Sequence, residues 1–296
     1  MFCESRVTWE KLCLEIELLN SEDPTSLIPL LLGVQSVLHP DETQEWTIRT
    51  INFMSYELAA KCEGLSEEDR FHTLNAYLFD QKGFQVLPKD FCLTDPKPWL
   101  IRNVLENRAG ASLPMTLIYL HLASHLDLPI YFAKHPRQTI LKWVRASKSV
   151  FIDLASGATL LSSDRLLELC QNNEGQKEID FEGYLDILPY SKVFRAYLEK
   201  LYVAFRSSAT EIRQVRRILD ALLLVDGGHL QALAHRALLL KKLGEKEGAL
   251  ADLQRYFSFV DHSASPKELQ VAFYELTQGR NAFPLPDPGP ENTVLH

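Results

Sequence analysis

The stretch that decides the fold runs from Arg108 to Asp153: RAGASLPMTLIYLHLASHLDLPIYFAKHPRQTILKWVRASKSVFID. Between Leu113 and Leu126 its residues are almost all apolar and none carries a full charge. A helix on a protein surface has one apolar stripe, whereas a helix that is apolar nearly all round is buried. The stretch therefore predicts a buried helix. Pro129 ends it, because proline disfavours helical backbone in the residue before it.

Three short apolar runs follow this helix. They are Ile130–Ala133, Thr139–Val144 and Val150–Leu154. Their β-branched and aromatic content is typical of strands. The polar residues 145–149 between the last two runs indicate the turn of a hairpin. We therefore expect an α+β protein in which a buried helix leads into a small antiparallel sheet.

Three groups of residues match the motifs of a known family. They are Leu74, Asn75, Leu78, Phe79, Gly83 and Phe84; Arg108, Gly110, Leu117, Tyr119, Leu120, Ala123, Leu126, Leu128 and Pro129; and Phe151, Ile152, Asp153 and Gly157. The pattern resembles the transglutaminase-like (papain-like) superfamily. Within it the pattern is most similar to the SirB-type family, which joins a transglutaminase-like domain to tetratricopeptide repeats. The resemblance spans roughly residues 20 to 275.

The catalytic positions are where the chain departs from that resemblance. An active member places Cys at the helix start, His on one strand and Asp on the next. The resemblance puts Ser112, Gln138 and Asp153 at these three positions. A serine hydroxyl is a weak nucleophile without an adjacent base, and an amide cannot act as a base near neutral pH. We therefore expect a degenerate, non-catalytic site in which the Gln138 amide donates a hydrogen bond to Asp153.

A displaced nucleophile is the alternative at this site. A cysteine hydrolase or acyltransferase of the same superfamily would use Cys92 or Ser112 as nucleophile, His135 as base and Asp153 to orient the imidazole. His135 lies three residues from the expected base position. An odd shift along a strand turns a side chain to the opposite face. The sequence therefore favours the non-catalytic interpretation.

Two histidines on the buried helix have metal-ligand spacing. His121 and His125 lie four residues apart, which puts both rings on one helix face. A zinc site needs further ligands, and the protease form of this motif has a glutamate beside the first histidine, where this chain has Leu122. We therefore expect histidines of the core or its edge, with no bound metal and no cofactor.

Composition limits the class of protein. The chain has 296 residues, 46% hydrophobic and 24% charged, with a net charge of −8, as in an ordinary globular protein of two domains. Its acidic balance argues against a nucleic-acid partner. The five scattered cysteines favour unpaired thiols in a reducing cytoplasm. No apolar block predicts a signal peptide or a membrane span.

Helical patterns occupy both ends of the chain. Residues 1–189 are predicted to form the transglutaminase-like domain, with an all-helical front half. Residues 190–280 are predicted to form an all-α, tetratricopeptide-like domain, in which Ala237, Gly244 and Ala249 provide the small residues that let antiparallel helices approach. The Pro-rich residues 281–296 predict a disordered tail.

These features together predict an interaction protein. We expect a non-catalytic transglutaminase-like scaffold with a protein or peptide partner, and no membrane or nucleic-acid partner. The resemblance implies a regulatory protein of the bacterial cytoplasm. The repeats either bind a peptide on a concave face or only pack against the first domain, since one good and one weak repeat are too few for a long solenoid.

Overall fold

The computed structural model describes residues 2–17, 19, 27–135, 139–146, 148–171, 185–207 and 212–277. The chain forms two compact units, which divide between Val215 and Arg216. The domain boundaries predicted after residues 189 and 280 stay a prediction. The predicted tail, 281–296, lies outside the described residues.

Helices make up most of the first unit. In chain order they are α1 (Phe2–Glu17), α2 (Leu27–Leu38), α3 (Glu45–Cys62), α4 (Glu67–Asn75), α5 (Ile101–Asn107), α6 (Ser112–Ser124), α7 (Ser163–Gln171) and α8 (Tyr190–Ser207). The helical front half is therefore confirmed in α1–α4. The Ser66 hydroxyl accepts a hydrogen bond from the backbone N–H of Asp69 and caps α4, whose first turn is acidic as the helix dipole favours.

Two helices of the first unit adjoin irregular helical segments. The helix that begins at Glu67 changes into a π-helical segment, Ala76–Gln81, instead of continuing as a plain α-helix. Helix α5 begins at Ile101, because Leu100 has extended backbone (ψ 123°). A 3-10 turn, Lys97–Trp99, precedes it.

Helix α6 lies at the centre of the first unit. Every residue from Pro114 to Ala123 is buried, which confirms the predicted buried helix. Pro114 is tolerated because it sits in the first turn, where a backbone N–H has no partner within the helix. After the helix, Asp127 adopts a left-handed backbone (φ 53°) and the Leu128 N–H donates to the Ala123 carbonyl. This backbone conformation and this hydrogen bond turn the chain directly into the sheet.

The observed sheet contains the predicted hairpin. Its antiparallel strands are β3 (Ile130–Ala133), β4 (Ile140–Trp143), β5 (Val150–Asp153) and β6 (Thr159–Leu160), in that order. Ile140 pairs with Asp153, so the start of β4 lies beside the end of β5. A separate parallel pair joins β1 (Gln85–Val86) to β2 (Ala109–Gly110) just ahead of α6.

Trp143 ties the sheet to the helices. Its side chain is 1% exposed, and its ring stacks on Phe71 of α4 with 4.5 Å between centroids. The indole N–H donates to Glu67 Oε1 at 2.7 Å. One side chain therefore supplies packing area, ring stacking and a hydrogen bond between β4 and α4.

The second unit is helical throughout its described part. Its helices are the end of α9 (Ile212–Val225), α10 (Leu230–Lys242), α11 (Lys246–Phe257) and α12 (Lys267–Thr277). Their common core consists of Leu233, Ala237, Leu253, Tyr256, Leu269 and Ala272. Ala237 and Ala249 are buried, and Gly244 turns the chain between α10 and α11 with φ 81°.

An ion-pair network lies within this second unit. The Arg236 guanidinium donates two hydrogen bonds to the Asp252 carboxylate, at 2.7 and 2.8 Å, and a third to Asp220 at 2.9 Å. Asp252 is only 5% exposed. These bonds raise the pKa of Arg236 above its ordinary value, so the guanidinium stays charged and Asp252 keeps its counterion.

No helix in the described part of the chain is long and apolar enough to cross a membrane.

Candidate functional site

A cleft of about 780 Å³ in the first unit brings together four of the five candidate site residues. Its lining includes Cys92 from a 3-10 turn, Ser112 from the first turn of α6, His135 after β3, and Asp153 at the end of β5. Gln138 lies outside the described residues, so its predicted bond to Asp153 stays a prediction. The cleft has the size of an ordinary ligand site.

The start of α6 fixes Ser112 on the cleft wall. Just ahead of it, the Ala111 N–H donates to the Pro98 carbonyl at 2.9 Å. A Cβ at Gly110 would come within 2.5 Å of a Val104 methyl carbon, so only glycine fits there. The Ser112 hydroxyl then lies 3.4 Å from the Thr139 hydroxyl at the start of the neighbouring strand. Its side-chain partner is therefore another hydroxyl and not an imidazole.

Asp153 is held by the turn that follows it. Its Oδ1 accepts the Ala155 N–H at 3.0 Å, and its Oδ2 accepts the Ser156 hydroxyl at 2.8 Å. The turn ends at Gly157, whose φ of 73° suits glycine. Both carboxylate oxygens therefore bond within their own 3-10 turn, as in an aspartate that caps a helix end.

Cys92 is a buried thiol. Its side chain is 2% exposed, and its Sγ donates to the Pro88 carbonyl at 3.6 Å. The Trp99 indole N–H donates to the Cys92 carbonyl and holds the turn in place. Burial raises the pKa of the Cys92 thiol, and the nearby negative charge of Asp95 raises it further. Reactive cysteines have lowered pKa values and partial exposure, so Cys92 has the features of a structural thiol.

Alkylation should reveal this raised pKa. Thiolate is the reacting form, so the rate rises with pH through the thiol pKa. We expect iodoacetamide to modify Cys92 more slowly in the folded chain than in the unfolded chain, with a rate profile displaced to higher pH. Mass spectrometry of the Cys92 peptide measures this, and the same peptide in denaturant is the control. Faster reaction in the folded chain would contradict the structural assignment.

The rings of His121 and His125 lie close together, tilted by 50°. Their ring centroids are 4.4 Å apart, and His125 Nδ1 lies 2.8 Å from the His121 carbonyl oxygen. In the described part of the chain no group of three His, Cys, Asp or Glu side chains could hold a metal. His121 also lines a second cavity, of about 430 Å³, beside α1, α2 and α3.

Four hydrophilic residues of the cleft lining were missed by sequence reasoning about the site. They are Thr139, Lys89, Arg165 and Lys200. The three cations lie on a 3-10 turn, on α7 and on α8, far apart in the chain. No spacing or motif connects them, so only the fold brings them to one cleft. Thr139 was recognised only as the beginning of a strand.

A model of the transglutaminase-like superfamily matches residues 45–199. This range covers Cys92, Ser112, His135 and Asp153, as well as helix α6 and the sheet. The chain belongs to the transglutaminase-like superfamily.

Its relatives among curated proteins are bacterial. The chain is 27% identical over 214 residues to the UPF0162 protein of Haemophilus influenzae, a match that covers 70% of this chain and 74% of that protein. It is 24% identical over 186 residues to the UPF0162 protein of Xylella fastidiosa strain Temecula1, covering 62% of this chain and 65% of the relative. No solved structure gives a significant match. The names of these relatives state no activity.

Proposed function

We propose that the chain is a non-catalytic transglutaminase-like protein that acts as an interaction or regulatory scaffold in the bacterial cytoplasm. In this proposal the cleft beside α6 binds a partner protein or peptide without turning it over. The first unit would have a papain-like arrangement of the SirB type, and the second unit would be tetratricopeptide-like. The superfamily match and the bacterial relatives support this assignment.

The observation that carries the proposal is the partner of Ser112. At the helix start, where acyl transfer needs a nucleophile beside a base, the Ser112 hydroxyl meets the Thr139 hydroxyl at 3.4 Å. Neither group takes a proton near neutral pH. The carboxylate of Asp153, which would orient an imidazole in an enzyme, is engaged by Ala155 and Ser156 instead. The arrangement supports binding better than chemistry.

The second unit supports the scaffold role through its helix packing. Small buried residues, Ala237 and Ala249, let α10 and α11 pack closely, which is the packing of helical repeats that bind peptides. Val271 and Tyr274 of α12 remain 43% and 41% exposed. Exposed apolar side chains of this kind suit contact with a partner.

A cysteine hydrolase or acyltransferase is the second candidate function. One observation favours it: Cys92, Ser112, His135 and Asp153 all line one cleft. In that scheme His135 would activate Cys92 or Ser112, with Asp153 orienting the ring. The raised pKa of Cys92 counts against the thiol as nucleophile.

Covalent probes separate the two functions. We expect the intact protein, incubated with a fluorophosphonate and separately with a peptide vinyl sulfone, to gain no adduct at Ser112 or Cys92 beyond that of the unfolded chain. The reason is that, among the described residues, neither the Ser112 hydroxyl nor the Cys92 thiol has a hydrogen bond to a base that could activate it. Intact-mass and peptide mass spectrometry measure the outcome.

Ser112→Cys provides the matched control. A thiol at a helix N-terminus has a lowered pKa and reacts readily, so this variant should be labelled by the vinyl sulfone and shows that the probe enters the cleft. Labelling of unmodified Ser112 or Cys92 that is lost on unfolding and on His135→Ala would establish the enzyme instead.

A further inference from the structure

The cleft carries a local excess of positive charge in an acidic protein. Its described lining holds three cations, Lys89, Arg165 and Lys200, against a single carboxylate, Asp153. The whole chain has a net charge of −8. A cleft lined by one sign of charge concentrates ligands of the opposite sign. The lining therefore favours an anionic occupant.

Two of these cations are available to a ligand. Within the described residues, neither Lys89 nor Lys200 has a carboxylate at salt-bridge distance, and both are exposed. Arg165 pairs with Glu168 at 2.7 Å, but both side chains are more than half exposed, so this pair is weak and exchangeable. The carboxylate of Asp153 is already engaged by its own turn.

The remainder of the lining is mostly apolar. Its solvent-accessible members include Leu87, Leu93, Leu113 and Leu188. A small inorganic anion would leave this surface and most of the 780 Å³ empty. The occupant therefore needs apolar side chains together with its negative charges.

One edge of the cleft carries unpaired main-chain groups. The N–H groups of Gln85 and Leu87 donate to the carbonyls of Arg108 and Gly110 on β2. Since alternate residues of a strand face opposite edges, the N–H and C=O of Val86 point away from β2. In the described part of the chain they have no hydrogen-bond partner, and Val86 lines the cleft. Such an edge accepts an extended peptide as an added strand.

We propose that the cleft binds an extended acidic peptide segment of a partner protein. The peptide main chain pairs with Val86, its apolar side chains contact Leu93 and Leu113, and its carboxylates pair with Lys89 and Lys200. This inference rests on the proposed function and names its ligand. A peptide fits better than a phosphate compound, because most of the lining is apolar and Val86 offers main-chain groups for pairing.

Fluorescence anisotropy with the full chain tests the proposal. The probe is a fluorescein-labelled peptide of about eight residues, the length of an ordinary strand, that alternates valine and glutamate. We expect it to bind, a glutamine-for-glutamate version to bind about tenfold more weakly, and salt to weaken the first peptide more than the second. Equal binding of the two peptides, or no binding of the acidic one, would overturn the proposal.

Charge-reversal variants locate the binding. We expect Lys89→Glu with Lys200→Glu to weaken the acidic peptide by about tenfold or more, since exposed charges each change affinity several-fold. The matched control is Lys97→Glu with Lys192→Glu. This pair makes the same change in net charge at exposed positions near the first two, but neither residue lines the cleft. Equal weakening by both pairs would overturn the assignment to the cleft.

Two further outcomes would assign the cations of the cleft to a different ligand. Tighter binding of inorganic polyphosphate or of phosphatidylglycerol vesicles through the same two lysines would overturn the peptide assignment. The acidic stretch 172–184 lies outside the described residues. Peptide binding that appears only after Glu174, Glu178, Asp180 and Glu182 are changed to glutamine would show that the cations serve this chain's own segment. Neither outcome affects the covalent-probe test, which checks separately whether the cleft is non-catalytic.

Discussion

Replacing Trp143 with alanine is expected to lower the free energy of unfolding of the first unit by about 3–5 kcal/mol. The substitution removes a fully buried ring and its stacking on Phe71, and it leaves the Glu67 carboxylate without the indole donor. Denaturant unfolding followed by tryptophan fluorescence measures this loss. All four tryptophans, Trp9, Trp46, Trp99 and Trp143, belong to the first unit, so the signal reports on that unit alone.

Two control variants divide this effect. Trp143→Phe keeps an aromatic ring against Phe71 but loses the bond to Glu67, so we expect a smaller loss of about 1–2 kcal/mol. Trp46→Ala removes a ring that is 42% exposed and should cost under about 1 kcal/mol. A loss for Trp143→Ala no greater than that for Trp46→Ala would contradict the described packing of β4 on α4.

Replacing Arg236 with alanine is expected to destabilise the second unit by about 3 kcal/mol. Removing one partner of a buried ion pair costs about 3–5 kcal/mol, because the other charge stays buried without a partner. Asp252 is 5% exposed and would lose both guanidinium bonds. The Arg236 side chain is itself 24% exposed, so the lower end of the range applies. Hydrogen exchange in peptides of α10 and α11 measures this loss.

The matching double variant isolates the cost of the unpaired charge. Arg236→Leu combined with Asp252→Leu removes both charges of the most buried pair, leaves only the Asp220 carboxylate without its Arg236 bond, and should destabilise the unit less than Arg236→Ala alone. Lys241→Ala breaks an exposed pair with Glu275 and should cost under about 1 kcal/mol. A double variant that is less stable than Arg236→Ala would show that the ion pair stabilises the unit more than two apolar side chains do.

The fold could be predicted where the sequence pattern is local. Helix α6 and the hairpin of β4 and β5 followed from apolar runs and a polar turn, each contained within a few residues. The pairing of Ala109–Gly110 with Gln85–Val86 could not be predicted, because a two-residue parallel contact depends on segments far apart in the chain. The π-helical segment Ala76–Gln81 continues the periodicity of α4 and leaves no separate signal.

The site residues, like the fold, could be predicted only where a local sequence motif marks them. Family motifs placed Ser112 and Asp153, and both line the cleft. The hydroxyl pair with Thr139 depends on how α6 meets the sheet, which the sequence does not encode locally. Lys89, Arg165 and Lys200 lie on separate elements, and their shared position follows from tertiary packing alone. Gln138, the residue on which the non-catalytic interpretation was first based, lies outside the described residues.

The turn that holds Asp153 has a consequence for how members of this superfamily are sorted into active and inactive chains. Because both oxygens of this carboxylate accept hydrogen bonds from Ala155 and Ser156, the aspartate has a structural role that does not depend on any catalytic role. Its side chain would remain useful in a chain whose nucleophile and imidazole had disappeared. In this chain the presence of Asp153 is therefore by itself a poor diagnostic of turnover, because the side chain also holds the turn.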